Sequence, residues 1–506
     1  MMFISSGTLL LQKLNTWSSI TIYPLTLVFP FVLVFLYKSI TMCGINKAKR
    51  RPPSPPKLPI VGNLHQIGLL PHQSFATLSC QFGKTMLLHF GSKPILIISS
   101  PEGVREILKT QDLSFCNRPK SRVTQKFFYG CKDVGFSPYG EHWRMMKSIC
   151  IMQLLSNKRV QSIKHIRQEE VALVMKQISN SSLVVNLSEI IKTQTYDLIC
   201  RATFGRKYGS NDKGSFNFKE LLDETMELLG VFCVGDFIPW LSFVDRLRGL
   251  DARLEKIGNE LDDLLDKVIQ EHQFRLSKNK LDVKIQEMNF VENLLEHQWE
   301  NKDTIPMEDI KAVILLIRHP RVMKELQDEV RNTVEAKGSI LKIDEDDLDK
   351  LKYLKLVLKE SLRLHPPAPL LVFRETLQDA QVNGFDIDAR THVFINAWAI
   401  HRDPAYWEQP LEFCPERFMD NNNTFNFKGQ DNFQYTPFGG GRRICPGTSF
   451  AMVNAELMLA NLIYEFDWKL PLEFDGKLDM TESIGITVHK QHPLMLIATP
   501  NYCRQS

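Results

Sequence analysis

One stretch near the C-terminus constrains this chain more than any other: Phe438-Gly439-Gly440-Gly441-Arg442-Arg443-Ile444-Cys445-Pro446-Gly447. Three consecutive glycines suit neither a helix nor a strand interior, because ordering glycine costs the most backbone entropy. They suit a loop that needs positive φ or a close backbone approach. Cys445 closes that loop. A thiolate there would be favoured by nearby backbone N–H groups and by cations facing the sulfur. A helix starting after Gly447 would aim its positive end at the same place. The segment reads as a loop able to hold a deprotonated cysteine. The competing reading is a buried structural cysteine in a glycine-rich turn.

The chain has 506 residues, enough for one large domain or two ordinary ones. Its hydrophobic fraction of 43% suits a globular protein with a sizeable core. A net charge of +4 does not point to nucleic acid, which is met by a concentrated basic face. The 10 cysteines are scattered and form no CxxC pair. That argues against a disulfide scaffold and a structural zinc site, and for a reducing compartment.

Ile20 to Leu36 is almost unbroken apolar sequence. With Tyr37 it approaches the ~20 residues that span a bilayer. Only Lys13 precedes it, whereas Lys38, Lys47, Lys49, Arg50 and Arg51 follow. The positive-inside rule puts the following domain in the cytosol. A cleaved secretory leader competes with this reading, but no clear small-residue cleavage site follows the run. The expected layout is a tail at 1–19, a transmembrane anchor at 20–37, a basic and proline-rich hinge at 38–59, and one domain at 60–506. Pro52-Pro53-Ser54-Pro55-Pro56 cannot be helical and reads as a stiff spacer.

Thr85 to Phe90 and Pro94 to Ser99 read as two strands around a Gly91-Ser92 turn. Leu254 to Phe274, Val322 to Val334 and Leu348 to Leu364 carry helical spacing, and His392 to Asn396 is strand-like. The expected fold class is mainly α with small β sheets, preceded by one transmembrane helix.

The loop matches FxxGxRxCxG at Phe438, Gly441, Arg443, Cys445 and Gly447. Glu360-Ser361-Leu362-Arg363 matches ExxR, followed by His365-Pro366-Pro367 and by Pro415-Glu416-Arg417-Phe418. Trp143 to Lys147 resembles WxxxR, with lysine at the last position. In this order these motifs resemble the microsomal cytochrome P450 enzymes of plants, from the proline hinge to about Pro500. Asp236 to Trp240 and Arg246 to Leu250 also look like the large plant group that oxidises terpenoids and phenylpropanoids.

The resemblance implies a P450 fold with haem b held by Cys445 as axial iron ligand. It implies contacts to the cofactor from Trp143, Lys147, Arg374, Pro437, Phe438, Gly439, Arg443 and Gly447. Glu360, Arg363 and Arg417 would form a buried charge network on the thiolate side. Lys147 keeps the charge of the usual arginine but loses its bidentate fork. Phe115, Val134, Leu370, Leu371, Val372 and Ile484 are expected to line the substrate pocket.

Such enzymes carry a long distal helix with [AG]Gx[DE]T at its centre, an acid and an alcohol that move protons. Here Met307 to Leu315 opens as that helix does, then passes directly to Leu316 to Val322, which resembles its far end. About twenty residues are missing from this pattern, roughly 30 Å of helix. Thr193 to Asp197 has the residue types but lies elsewhere. No catalytic acid–alcohol pair is identified, and the helix is expected to be short, near 307–318.

The expected function is a haem-dependent monooxygenase that hydroxylates a small lipophilic plant metabolite with O2. Electrons would come from NADPH through a membrane-bound cytochrome reductase, at the endoplasmic reticulum membrane, with membrane lipid as a further partner and no nucleic acid. A membrane-anchored haem protein with impaired or no activity is the alternative, as a truncated variant or an incomplete gene model. A peroxide-rearranging haem-thiolate enzyme is a third.

Overall fold

The computed structural model describes residues 49–501 apart from 182–183, 209–217, 279–307, 337–342, 420–424, 428–431, 472–477 and 484. The chain divides into two units, 1–50 and 51–506. The expected tail and anchor, 1–37, lie outside the described residues, as does most of 38–50. Among the described residues no single helix is long and apolar enough to cross a membrane.

The second unit begins at residue 51, inside the stretch expected as hinge. Prolines lack N–H groups but keep their carbonyls. Pro53 O accepts the Leu87 N–H at 2.9 Å. The buried Asn63 side chain donates to the carbonyls of Pro55 and Pro56, each at 3.3 Å. The stretch expected to be a spacer is therefore sewn onto the domain.

Most described elements are helices, and small sheets lie beside them. The two predicted strands form an antiparallel hairpin, Thr85–Phe90 with Lys93–Ile98. The second strand pairs in parallel with His392–Ile395, which pairs with Arg374–Glu375. Pro94 is tolerated because the parallel ladder begins one residue later, at Ile95 opposite His392. Val184–Asn186, Met495–Pro500 and Phe466–Lys469 make a three-stranded sheet.

The main core gathers apolar faces from the helices Lys164–Ser179, Leu187–Phe204, Glu308–Arg318, Pro320–Glu335, Lys352–Leu364 and Thr448–Glu465. The predicted helix over Leu348–Leu364 starts only at Lys352. Glu329, from a different helix, sets that start: its carboxylate accepts the N–H groups of Tyr353 at 2.7 Å and Leu354 at 3.0 Å. These are orphan donors of a helix N-terminus. Residues Ala312 to Leu316 of the short helix are all buried in the core. His319 separates that helix from the next, which opens on Pro320.

Candidate active site around Cys445

The glycines of the cysteine loop do different jobs. Gly439 and Gly441 have φ of +73° and +65°. A Cβ on Gly441 would sit 2.5 Å from the carbonyl oxygen of Leu108, so only glycine fits. The Cys445 N–H donates to Phe438 O at 3.0 Å and closes the loop. The helix Thr448–Glu465 follows directly, with Gly447 as its N-cap. The Cys445 side chain is exposed. Pro437 is buried, and the Phe438 ring is half-buried, edge-on to Phe427 at 5.4 Å.

Cations converge beside this loop. Arg443 is buried and donates to the carbonyls of Cys116 at 2.9 Å, Val134 at 3.3 Å and Ser137 at 2.6 Å. Its guanidinium lies 4.1 Å from the centre of the Trp143 ring, whose Nε1 donates to Val134 O at 3.0 Å. Arg374 is buried and donates to Gly440 O at 2.7 Å, with Asp112 at 3.4 Å. Lys147 reaches the carbonyl of Arg442 and lies over the Trp143 ring at 5.2 Å.

A third buried guanidinium belongs to Arg118, which the sequence reading missed. It donates to Gly135 O at 3.0 Å, Val372 O at 2.6 Å and Phe373 O at 2.7 Å. The available signal was Arg118-Pro119, only three residues after Phe115. A proline holds the residue before it extended, which suits an arginine aimed from a fixed backbone.

Burial pushes the guanidinium of Arg118 well down, with Arg374 and Arg443 adding repulsion. Burial lowers Arg374, and brings Arg443 down to about 10. Lys147 is lowered by burial and then by Arg443. The shared direction means that this cluster holds more positive charge than its surroundings favour. An anion placed among these groups would offset that penalty.

Glu360, Arg363 and Arg417 come together. Arg363 Nε and Nη2 donate to the two oxygens of Glu360 at 2.7 and 2.8 Å. Arg417 Nε donates to Glu360 Oε1 at 3.1 Å, and the Cys414 N–H to the same oxygen at 2.9 Å.

The expected pocket residues are placed less uniformly. Leu370, Leu371 and Val372 are half-buried just ahead of Arg374, with Leu371 at φ +53°. Val134 is buried beside Met146 and Cys150, and its carbonyl serves Arg443 and Trp143. Phe115 is fully buried in the cluster with Leu96, Leu108 and Ile400. Ile484 lies outside the described residues.

A sequence model of the family described as Cytochrome P450 matches residues 52–316 and 311–497. Cytochrome P450 736A117 of Prunus mume is 46% identical over 521 aligned residues, taking in 97% of this chain and 99% of its own. (+)-Menthofuran synthase of Mentha piperita is 45% identical over 90% of this chain and 94% of its own length. Norfluorocurarine oxidase of a Strychnos species is 43% identical over 96% and 99%. The chain belongs to the cytochrome P450 family.

A cytochrome P450 is an oxidoreductase, and the family implies haem. The donor set here suits that group: an exposed thiol beside a helix N-terminus, and buried cations in excess around it. Two features of the P450 match bear on the short helix. Its two segments overlap at 311–316, inside Glu308–Arg318. The alignment with the Prunus mume P450 is also longer than the chain's 506 residues, so that relative has residues with no counterpart here.

Proposed function

We propose that Cys445 supplies the axial thiolate to a haem b, and that the chain hydroxylates a small lipophilic plant metabolite of terpenoid or phenylpropanoid type. The single observation that carries this is the exposed thiol held at the end of a glycine-locked loop, against a helix N-terminus. When bound, the haem supplies the oxygen chemistry, which a thiolate ligand favours by donating electron density to the iron.

The chain's own residues bind and orient. Arg443, Arg374 and Arg118, with Lys147, would hold the propionates, since the three guanidiniums are buried and Lys147 reaches the loop carbonyl of Arg442. Phe438 would limit water at the sulfur. Pro437, Gly439 and Gly447 shape the loop, and Trp143 braces Arg443. The Glu360–Arg363–Arg417 network would fix the support beneath it. Leu370, Leu371, Val372 and Val134 stand as pocket residues, with Ile484 from sequence alone. The relatives named for menthofuran and norfluorocurarine support a plant-metabolite substrate.

Electrons would come from NADPH through a membrane-bound reductase, with the protein at the endoplasmic reticulum by a single-pass anchor over 20–37. The second unit carries features that suit a bilayer surface. Leu58, Ile60, Trp240, Phe243 and Leu247 are exposed. Val61 O accepts the Gly91 N–H, and the next residue, Ser92, donates its N–H to Phe237 O, which brings these segments together.

A reduced carbon monoxide difference spectrum tests the thiolate. The expected result is a thiolate-type Soret band in the wild type and its loss in Cys445→Ser. A wild-type protein that folds without that band overturns the reading. Turnover with NADPH and reductase then separates an oxygenase from an inactive haem protein.

We also propose, from the sequence pattern, that most of the distal oxygen-activating helix is missing; the two family matches meet inside the short helix, at 311–316. Without its acid–alcohol pair this chain would turn over slowly. Sequencing the transcript across Ile314 to Ile317 decides the origin: a restored helix means an incomplete gene model, and an unchanged junction means a shortened protein.

A further inference from the structure

His401 is fully buried where the charge network meets the cysteine loop. Its backbone carbonyl accepts a hydrogen bond from Arg363 Nη1 at 2.7 Å. Its ring Nε2 lies 3.0 Å from the backbone nitrogen of Thr436. A backbone N–H only donates, so Nε2 is the bare nitrogen and the proton sits on Nδ1. Burial, helped by Arg363 and Arg402, pushes the imidazole down to about 3 and keeps it a neutral acceptor at physiological pH. Nδ1 has no partner among the described residues. An unpaired buried donor costs stability. An apolar side chain would fill this space without that cost, so the role of the ring lies in what Nε2 accepts.

What it accepts is the first fixed point of the loop. Thr436 precedes Pro437, which has no N–H. The Thr436 carbonyl takes the Gly439 N–H at 3.1 Å, and Phe438 O takes the Cys445 N–H at 3.0 Å. The path from Glu360 through Arg363, His401 and Thr436 to Cys445 is continuous in hydrogen bonds and backbone.

We infer that His401 is a positioning residue for Cys445, fixing the base of the cysteine loop to the Glu360–Arg363 pair through Thr436. The inference rests on the reading of Cys445 as axial thiolate. Glutamine and methionine have similar length, but only glutamine offers a strong acceptor near the place of Nε2. The test compares the full-length wild type, His401→Gln, His401→Met and Cys445→Ser in membranes, at equal haem content. In His401→Met the thiolate-type carbon monoxide band gives way to the non-thiolate band, with roughly tenfold faster exchange of the Thr436 amide. His401→Gln restores both. If His401→Met keeps the wild-type band while Cys445→Ser abolishes it, or if Gln and Met are equally impaired, the inference is overturned. If Cys445→Ser keeps the band, the reading of Cys445 itself fails. Should His401→Met not accumulate, the wild-type Thr436 amide decides: slow exchange supports the inference and rapid exchange sinks it.

Discussion

Arg363 grips Glu360 through two parallel N–H···O contacts of 2.7 and 2.8 Å, with both side chains fully buried. Its other donations go to the carbonyls of His401, Pro410 and Glu412. Such a pair tolerates the loss of neither partner. Glu360→Ala leaves two guanidiniums facing each other and should cost about 3–5 kcal/mol. Arg363→Lys keeps the charge but loses the fork, and should also be strongly destabilised. The urea midpoint of each variant reads this. A midpoint unchanged in Glu360→Ala would show that the pair does not support the fold.

Gly441 and Gly447 should respond differently to alanine. Gly441 combines φ of +65° with a Cβ position 2.5 Å from Leu108 O. Strain alone is worth about 1–3 kcal/mol there, before the clash. Gly447 has φ of −82°, and its added Cβ meets Cys445 Sγ at an ordinary 3.9 Å. Gly441→Ala should lose most of its haem, while Gly447→Ala retains it. Equal retention in a haem-content assay contradicts this.

Acid should weaken the fold chiefly through three buried histidines, with Glu456 and Asp236, raised by burial to about 7 and about 6, partly offsetting the effect. His365 and His401 are pushed down to about 3, and His392 to about 4, each mainly by burial. They are neutral when folded but take up protons in the unfolded chain below about 6.5. The unfolded state then binds more protons, so stability falls as pH drops from about 6.5 towards 4. Urea midpoints across this window should decline steadily. Replacing His401 by glutamine should make the decline shallower, and an unchanged slope would remove His401 from this account.

Arg118 ties two segments together, through Gly135 on one side and Val372 and Phe373 on the other. Arg118→Met should weaken haem retention by about 10- to 100-fold, as losing hydrogen bonds from a charged group does. It should also expose the chain near Gly135 to proteolysis. Haem loss to a scavenger protein, with and without the substitution, measures the first effect. Loss at the wild-type rate would show that Arg118 has no part in holding the cofactor.

Much of the cysteine side of the site was legible because its chemistry is local in sequence. Glu360 and Arg363 are one helical turn apart, and the loop around Cys445 is contiguous. What escaped was set by distant partners. Nothing near Lys352 reveals that Glu329 caps its helix, and nothing in the proline run reveals that Asn63 holds its carbonyls. Arg118 was hidden because its partners, at Gly135 and Val372, are neutral carbonyls without a sequence pattern. The burial of Phe115 was not legible because an aromatic residue near a pocket segment looks the same in sequence whether it faces a ligand or the core.

The stitching of the proline stretch to the first hairpin would shorten the leash of the proposed anchor. With Pro53 and Pro55 fixed to the domain, an anchor ending at Tyr37 would leave Lys38 to Arg50 as its tether. A chain of that length reaches at most ~45 Å when fully extended, which would cap how far the domain could stray from the lipid. Loosening the Asn63 clamp would lengthen that reach.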